Sequence, residues 1–213
     1  MLSAGRLRGI RVGGQWRFPV ESLSDLPQRP ATGVPNQESG RPEAPLKPAA
    51  SEAPTLTGLV EAGGIHYRVA GTTAREVIEE VVRIHPGVPE EFRPALFRAI
   101  WDRESLCSTG VGHGIALPHP RMPEGLPEGR FRPGVGLHFL EHPVDFHAVD
   151  GEPVSVLFLV LLATPREHLR ILSRISRLLR EEPFREFLHR APLRPELLRR
   201  ISELERTVFP EGP

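Results

Sequence analysis

The sequence predicts an α/β fold in which a mixed β-sheet is flanked by helices, preceded by a short β-hairpin and a disordered linker. Three observations predict it. Segments with the two-residue period of strands alternate with segments of helical period. One run, Val154–Ala163, is apolar on both faces, as is typical of a central strand covered by helices. A proline-rich stretch separates these segments from a short N-terminal piece.

Composition restricts the class of protein. The chain has 213 residues, of which 39% are hydrophobic and 25% charged, and this is enough to bury a globular core. Its formal net charge is zero, so no overall field attracts nucleic acid or an anionic membrane. A single cysteine, Cys107, excludes an internal disulfide and suits a reducing cytosol. The most apolar run has about half the length of a membrane-spanning helix, and no N-terminal signal is present, which predicts a cytoplasmic protein without membrane insertion.

The chain divides into three parts. Residues 1–26 contain a hairpin pattern, with Ile10 and Val12 alternating before Gly13-Gly14 and Trp16 alternating with Phe18 after it. Residues 27–54 are rich in proline and lack apolar periodicity, which predicts an extended, disordered linker. Residues 55–208 form the predicted compact domain.

Within the domain, "GGIHYRVAG" alternates like a half-buried strand. A helix follows, with Thr73 and Glu76 forming a capping box and His85-Pro86-Gly87 ending it. A second helix is predicted in "PEEFRPALFRAIWDRE", with its start delayed by Pro94.

Two strands and two helices complete the domain. The strands are "VGLHFL" and the run Val154–Ala163. The sequence "TPREHLRILSRISRLLREE" predicts an amphipathic helix that begins at Thr164, with Pro165 in its first turn. "LRPELLRRISELE" predicts a last short helix.

Candidate chemistry is concentrated in "STGVGHGIALPHPR", residues 108–121. Glycines allow a loop backbone to approach a ligand closely, and successive N–H groups in such a loop can bind an anion. The short apolar strand "IALPH" then delivers His119 behind a proline. A neutral imidazole is an available nucleophile that can carry a phosphoryl group. Arg103 suits bidentate phosphate binding, and His168 lies in a first helical turn, where an anion is favoured.

These segments resemble a known family. "RESLCSTGVGHGIALPHPR" and "HPVDFHAVDGEPVSVLFLVLLATPREHLRILSRISRLLRE" are similar, in order and spacing, to the enzyme IIA domain of the fructose/mannitol type, including its nitrogen-regulatory relatives. These domains belong to the phosphoenolpyruvate-dependent sugar phosphotransferase system. The resemblance implies that His119 accepts a phosphoryl group from phosphorylated HPr, or a related carrier, and passes it to a IIB domain.

The resemblance also implies roles for the other site residues. It makes His168 the second active-site histidine and Arg103 a phosphate contact, and no metal or organic cofactor is required. The expected phosphate-facing loop comprises Ser108, Thr109, Gly110, Gly112, His113 and Gly114. Pro120 departs from the family pattern, in which a small residue is usual, and it removes one backbone N–H beside the site.

Several alternatives stay open at this point. His113 either lines the site or only shapes the loop. A metal site would recruit His113 with His138, His142 or His147, but their spacings match no zinc pattern. The domain could instead be a regulatory protein whose phosphorylation state tunes a partner.

The N-terminal piece adds a DNA-binding alternative. "RVGGQWRF" resembles the wing of excisionase- or MerR-like helix-turn-helix domains. Five arginines against Glu21 and Asp25 give residues 1–30 a charge of +3, which suits phosphate contact. The recognition helix that should precede a wing is absent from the sequence, so DNA is not an expected partner of this chain.

Overall fold

The computed structural model describes residues 10–12, 15–17, 54–121 and 131–209. The chain separates into two units, Met1–Ala49 and Ala50–Pro213. In the first, β1 (Ile10–Val12) pairs antiparallel with β2 (Gln15–Arg17), as the hairpin pattern predicts. The predicted turn at Gly13-Gly14, Phe18 and nearly all of the linker lie outside the described residues.

The second unit is the α/β domain, and its sheet has the order β3-β6-β7-β5-β4. Neighbouring strands are parallel in β3/β6 and β7/β5 and antiparallel in β6/β7 and β5/β4, so the predicted mixed sheet is confirmed. The strands are β3 (Ile65–Val69), β4 (Gly110–Gly112), β5 (Ile115–Ala116), β6 (Gly134–Val144) and β7 (Val154–Leu161). The helices are α1 (Leu56–Gly63), α2 (Ala74–Ile84), α3 (Arg93–Glu104), α4 (Pro165–Leu178), α5 (Glu182–His189) and α6 (Arg194–Val208).

The sheet separates two apolar layers. Alternate residues of β7 face opposite sides: Val156, Phe158 and Val160 pack with α1, α4, α5 and α6. Leu157, Leu159 and Leu161 pack with α2 and α3. The central strand is therefore apolar throughout because helices cover both of its faces. Within the described residues, no helix combines the length and apolarity that crossing a bilayer requires.

Local signals predicted the helix starts well. The Thr73 hydroxyl accepts the Glu76 N–H at 3.2 Å, and the Thr164 hydroxyl accepts the Glu167 N–H at the same distance. Two helices were not predicted from the sequence, α1 and α5. The helix expected to run from Thr164 to Glu182 ends at Leu178, and α5 begins at Glu182 with a proline in its first turn.

A buried carboxylate connects the first and last helices of the domain by hydrogen bonds. Glu205 of α6 accepts hydrogen bonds from the N–H groups of Leu56 (2.6 Å) and Thr57 (2.9 Å) at the start of α1. Its other partners are the Thr57 hydroxyl, at 2.8 Å, and the Arg174 guanidinium of α4, at 3.1 Å. A negative charge at a helix N-terminus is favourable, and here it also neutralises a largely buried arginine.

Replacing Glu205 with alanine is therefore expected to lower the free energy of unfolding by about 3 kcal/mol. The substitution leaves Arg174 charged without its partner and two N–H groups of α1 without an acceptor. Urea denaturation measures the change. Glu203→Ala, two residues earlier on the same helix and more exposed, is the matched control and is expected to change stability by less than about 0.5 kcal/mol. Equal losses in the two variants would contradict the assignment.

Candidate functional site

Two histidines that are distant in sequence meet at one edge of the sheet. The Pro118 carbonyl accepts the Val160 N–H at 3.0 Å, which holds the segment after β5 beside the end of the parallel strand β7. His119 follows Pro118, and α4 begins soon after β7 ends. The rings of His119 and His168 consequently lie 4.9 Å apart, centroid to centroid, with a 56° angle between their planes. The carboxyl ends of parallel strands are the usual location of binding sites in α/β folds.

The hydrogen bonding of His119 determines which of its nitrogens is reactive. Its Nδ1 lies 2.8 Å from the Leu117 carbonyl oxygen, which can only accept, so Nδ1 carries a proton. In the neutral ring Nε2 then holds the free electron pair. Burial lowers the pKa of His119 below its usual value, and the Arg103 charge lowers it further, while the Leu117 hydrogen bond and Glu104 act in the opposite direction. His119 is thus a neutral Nε2 nucleophile at pH 7.

His168 is more deeply buried, with 8% of its surface exposed. Burial lowers its pKa to about 4, and the neighbouring His119 contributes to the shift. Its Nδ1 is buried and has no hydrogen-bond partner among the described residues. An unsatisfied buried polar atom is uncommon in a packed protein, and this one lies on the ring that adjoins His119.

Arg103 lies in the last turn of α3 and faces the same histidine. Its Nη1 donates to the Cys107 carbonyl at 2.6 Å, which fixes the guanidinium across the end of the helix. Its charge lowers the pKa of His119, so the two groups interact. The other guanidinium N–H groups make no hydrogen bond to a described residue, and they are available to an anion.

A chain of hydrogen bonds connects buried Glu104 to His119. Glu104 accepts both the N–H (2.9 Å) and the hydroxyl (2.6 Å) of Thr109. The Thr109 carbonyl accepts the Leu117 N–H at 3.1 Å, and the Leu117 carbonyl accepts Nδ1 of His119. Glu104 was not among the residues selected from the sequence. The available signal was a carboxylate directly after Arg103, at a position that the structure shows to be buried.

The first N–H groups of the glycine-rich loop are hydrogen-bonded to nearby side chains, those of Glu104 and Ser108. The Thr109 N–H is bound by Glu104, and the Gly110 N–H donates to the Ser108 hydroxyl at 2.9 Å. Ser108 in turn donates to the Phe146 carbonyl at 2.6 Å. Gly110 is required because a Cβ there would lie 2.7 Å from Cβ of Ala148. These two N–H groups are therefore not free to bind phosphate, contrary to the expectation from sequence, and this part of the loop positions Leu117 and His119.

The turn of the loop lies at the opposite end of the hairpin. Gly114 accepts N–H groups from Ser155 and Val156 at the beginning of β7, whereas Pro118 binds Val160, about 16 Å further along that strand. Gly112, His113 and Gly114 all have positive φ, as the turn requires. The structure does not bring these three residues to His119.

His113 has local partners instead. Its N–H donates to Asp150 at 2.7 Å, and its carbonyl accepts Nε2 of His189 at 2.9 Å. Of the histidines in the metal alternative, His138 is fully buried in the sheet whereas His113 is exposed. Among the described residues, no three His, Cys, Asp or Glu side chains are placed to hold a metal ion together.

The chain of hydrogen bonds predicts a stability difference between two substitutions at Glu104. Glu104→Ala leaves the buried N–H and hydroxyl of Thr109 unpaired, and we expect it to lower the free energy of unfolding by about 2 kcal/mol. Glu104→Gln keeps one acceptor and supplies a donor for the Thr109 hydroxyl, so it should recover most of that loss. Urea denaturation of both variants measures the effect. A glutamine variant as unstable as the alanine variant would contradict the hydrogen-bond assignment.

Comparison with known proteins decides the family. The sequence model described as "Phosphoenolpyruvate-dependent sugar phosphotransferase system, EIIA 2" matches residues 59–204. The chain belongs to this family. Members of the EIIA type-2 family act as phosphotransfer components of that system. The match begins after the N-terminal piece, and the proposed likeness of residues 1–26 to a helix-turn-helix wing finds no support.

Individual relatives agree with this assignment. A nitrogen regulatory protein of Pseudomonas aeruginosa is 34% identical over 70% of this chain and 96% of its own length. The crystal structure of nitrogen regulatory protein IIA-Ntr from Neisseria meningitidis superposes with a TM-score of 0.58 at 25% identity, covering 68% of this chain and 97% of that one. The complex of enzyme IIA mannitol with phosphorylated enzyme IIB mannitol from Escherichia coli contains the same fold, with a TM-score of 0.52 at 22% identity, covering 67% and 96%.

Proposed function

We propose that this EIIA domain is a phosphocarrier in which Nε2 of His119 accepts a phosphoryl group from phosphorylated HPr or a related carrier. The observation that carries the proposal is the hydrogen bond from Nδ1 to the Leu117 carbonyl, because it leaves the electron pair on Nε2. In the transfer, a bond forms between Nε2 and phosphorus as the bond between phosphorus and the donor nitrogen breaks. The electron pair of the broken bond stays on the donor imidazole.

The surrounding groups stabilise the charges of this step. The phosphorylated His119 ring keeps its Nδ1 proton and is positively charged, so the Leu117 carbonyl oxygen stabilises it. The free N–H groups of Arg103 face the phosphoryl oxygens, and the ring of His168, whose Nδ1 has no partner among the described residues, supplies a further hydrogen bond. No metal or organic cofactor takes part in this step. Pro120 is buried next to His119 and offers no N–H to the phosphoryl group.

The destination of the phosphoryl group has two candidates. In the first, His119 passes it to a IIB domain, as the Escherichia coli complex of IIA with phosphorylated IIB suggests. In the second, the phosphorylation state is itself the signal in the cytoplasm, and the names of the nitrogen regulatory relatives favour this function. The two differ in whether a IIB domain removes the phosphoryl group rapidly.

The test is phosphorylation of the full chain with phosphoenolpyruvate, enzyme I and HPr. We expect one phosphoryl group per chain, labile in acid, on the proteolytic peptide that contains His119. A chase with a fructose- or mannitol-type IIB domain then separates the two destinations. A phosphoryl group on any other residue would refute the phosphocarrier proposal.

A further inference from the structure

One face of α4 carries a row of exposed arginines that leads away from the candidate site. Arg166, Arg170 and Arg177 are all exposed, and exposed Ser173 lies between the last two. Their spacing of four, three and four residues places them in one stripe along the helix. The stripe starts in the same helical turn as His168 and extends about 16 Å. We call these three arginines and Ser173 the α4 stripe.

The α4 stripe has no acidic partner in the described part of the chain. Arg174 of the same helix pairs with Glu205, but no stripe guanidinium forms an ion pair or hydrogen bond with a described residue. Some exposed arginines nearby are paired, although Arg194 and Arg206 of α6 also lack an acidic partner among the described residues. Arg190 lies 3.7 Å from Glu186, and Arg199 lies 3.9 Å from Glu203.

This arrangement is unfavourable for an isolated helix. Arg166 and Arg170 are like charges four residues apart, and a positive charge in the first turn opposes the helix dipole. A local feature that costs stability without a compensating contact within the domain points to a function outside it.

An exposed apolar residue adjoins the stripe and favours a protein partner over a nucleic acid. Leu169 is 69% exposed, lies one turn after Arg166 at the border of the stripe, and directly follows His168. Arginine is enriched at protein–protein interfaces, and an exposed leucine among arginines offers an apolar contact that a nucleic-acid backbone does not use. The zero net charge of the chain likewise gives no general attraction for nucleic acid.

We propose that the α4 stripe and Leu169 form a docking surface for an acidic protein segment that presents an apolar side chain. Carboxylates of the partner bind the three arginines, and its apolar side chain covers Leu169. The surface and the ring of His168 share the first turn of α4, so a bound segment also lies beside the candidate phosphoacceptor. One consequence rests on the proposed function. If His119 is phosphorylated, the dianionic phosphoryl group repels an acidic partner, so the unphosphorylated chain binds that partner more tightly.

The first test uses unphosphorylated protein, so its result is independent of the proposed phosphotransfer. The probe is a fluorescein-labelled peptide of repeated Glu-Glu-Leu-Glu units, with binding measured by fluorescence anisotropy. The triple variant R166Q/R170Q/R177Q should bind about tenfold more weakly than the unaltered chain. The matched control R190Q/R199Q/R200Q, which removes the same charge from the end of α5 and from α6, should bind within about twofold of the unaltered chain. Equal loss in both triple variants, or no binding to the unaltered chain, would overturn the proposal.

Two further measurements identify the chemistry of the partner. Leu169→Ala should weaken binding of the Glu-Glu-Leu-Glu peptide but not of a polyglutamate peptide of equal length. A duplex DNA probe that binds more tightly than either peptide, and depends on the stripe arginines, would replace the protein partner with a nucleic acid. Phosphorylating the chain should weaken peptide binding. If peptide binding is normal but the chain does not accept phosphate, the proposed function fails while the docking surface stands.

Discussion

Replacing His119 with alanine is expected to abolish phosphorylation of the chain by phosphoenolpyruvate, enzyme I and HPr. The reason is specific to one atom. The Nδ1 proton of His119 is committed to the Leu117 carbonyl, and Nε2 presents its electron pair beside Arg103 and His168. We expect that His168 does not take its place, because its ring is buried in the first turn of α4 and is less accessible to a phosphoryl donor. Alanine leaves no nucleophile at this position, so the loss should be complete.

The measurement is incorporation of phosphoryl label, compared with a His113→Ala control. His113 occupies the turn beside Asp150 and His189, and the geometry gives it no contact with His119. The His113→Ala chain should therefore label to the same extent as the unaltered chain. Circular dichroism spectra of both variants should match that of the unaltered chain. Label retained by His119→Ala, or lost in His113→Ala, would contradict the assignment of His119 as the phosphoacceptor.

The fold could be predicted where local chemistry determines an element. The structure confirms the hydroxyl caps at Thr73 and Thr164 and the apolar strand β7. All the residues that determine each of these features lie within a short stretch of sequence, so the sequence alone was enough to predict them. Helix α1 was missed although the Thr55 hydroxyl caps it locally, accepting the Gly58 N–H at 3.1 Å, because two of its eight residues are glycines. Glu205, which lies 149 residues away in sequence, supplies a further contact at its start. The boundary between α4 and α5 was missed because the leucine pattern continues through Leu179, beyond the last residue of α4.

The sequence predicted the segment that contains the candidate site, but not the arrangement of the residues within that segment. Glycines, prolines and histidines marked the segment 108–121, but sequence could not distinguish the end of the hairpin that holds His119 from the end that holds His113. That distinction depends on the pairing of β5 with β7. The loop N–H groups looked free for phosphate because the sequence does not show that Glu104 turns inward to bind Thr109.

A separate group of histidines lies in the core, away from the candidate site. The rings of His66 on β3 and His138 on β6 stack at 4.9 Å, and His85 follows α2 beside Gly136 of β6. Both ring nitrogens of His138, and Nε2 of His66 and His85, are buried without a hydrogen-bond partner among the described residues. Nδ1 of His85 accepts the Gly87 N–H at 3.1 Å. Burial lowers the pKa of His66, a hydrogen bond with the backbone of Gly63 acts in the opposite direction, and the charge of Arg194 on α6 lowers the pKa further.

Burial makes the protonated forms of these histidines costly. It lowers the pKa of His85 to about 4 and that of fully buried His138 well below the usual value, with the neighbouring histidines adding to both shifts. A histidine whose pKa is lowered by folding stabilises the folded state fully above about pH 6.5, its unfolded value. That contribution is lost as the pH falls from about 6.5 toward the folded pKa, because only the unfolded chain takes up the proton.

The expected result is a steep loss of stability in mild acid. Fully buried His85, with its pKa lowered to about 4, should lower the free energy of unfolding by about 1.4 kcal/mol per pH unit as the pH falls from about 6.5 toward 4. This removes about 2 kcal/mol by pH 5, a substantial part of the stability of an ordinary domain, and His138 adds to the loss in the same direction. Urea denaturation at half-unit steps between pH 7.5 and pH 4.5 measures this dependence. His138→Leu should make the loss of stability with falling pH less steep, since leucine does not titrate. A slope unaffected by His138→Leu would refute the assignment.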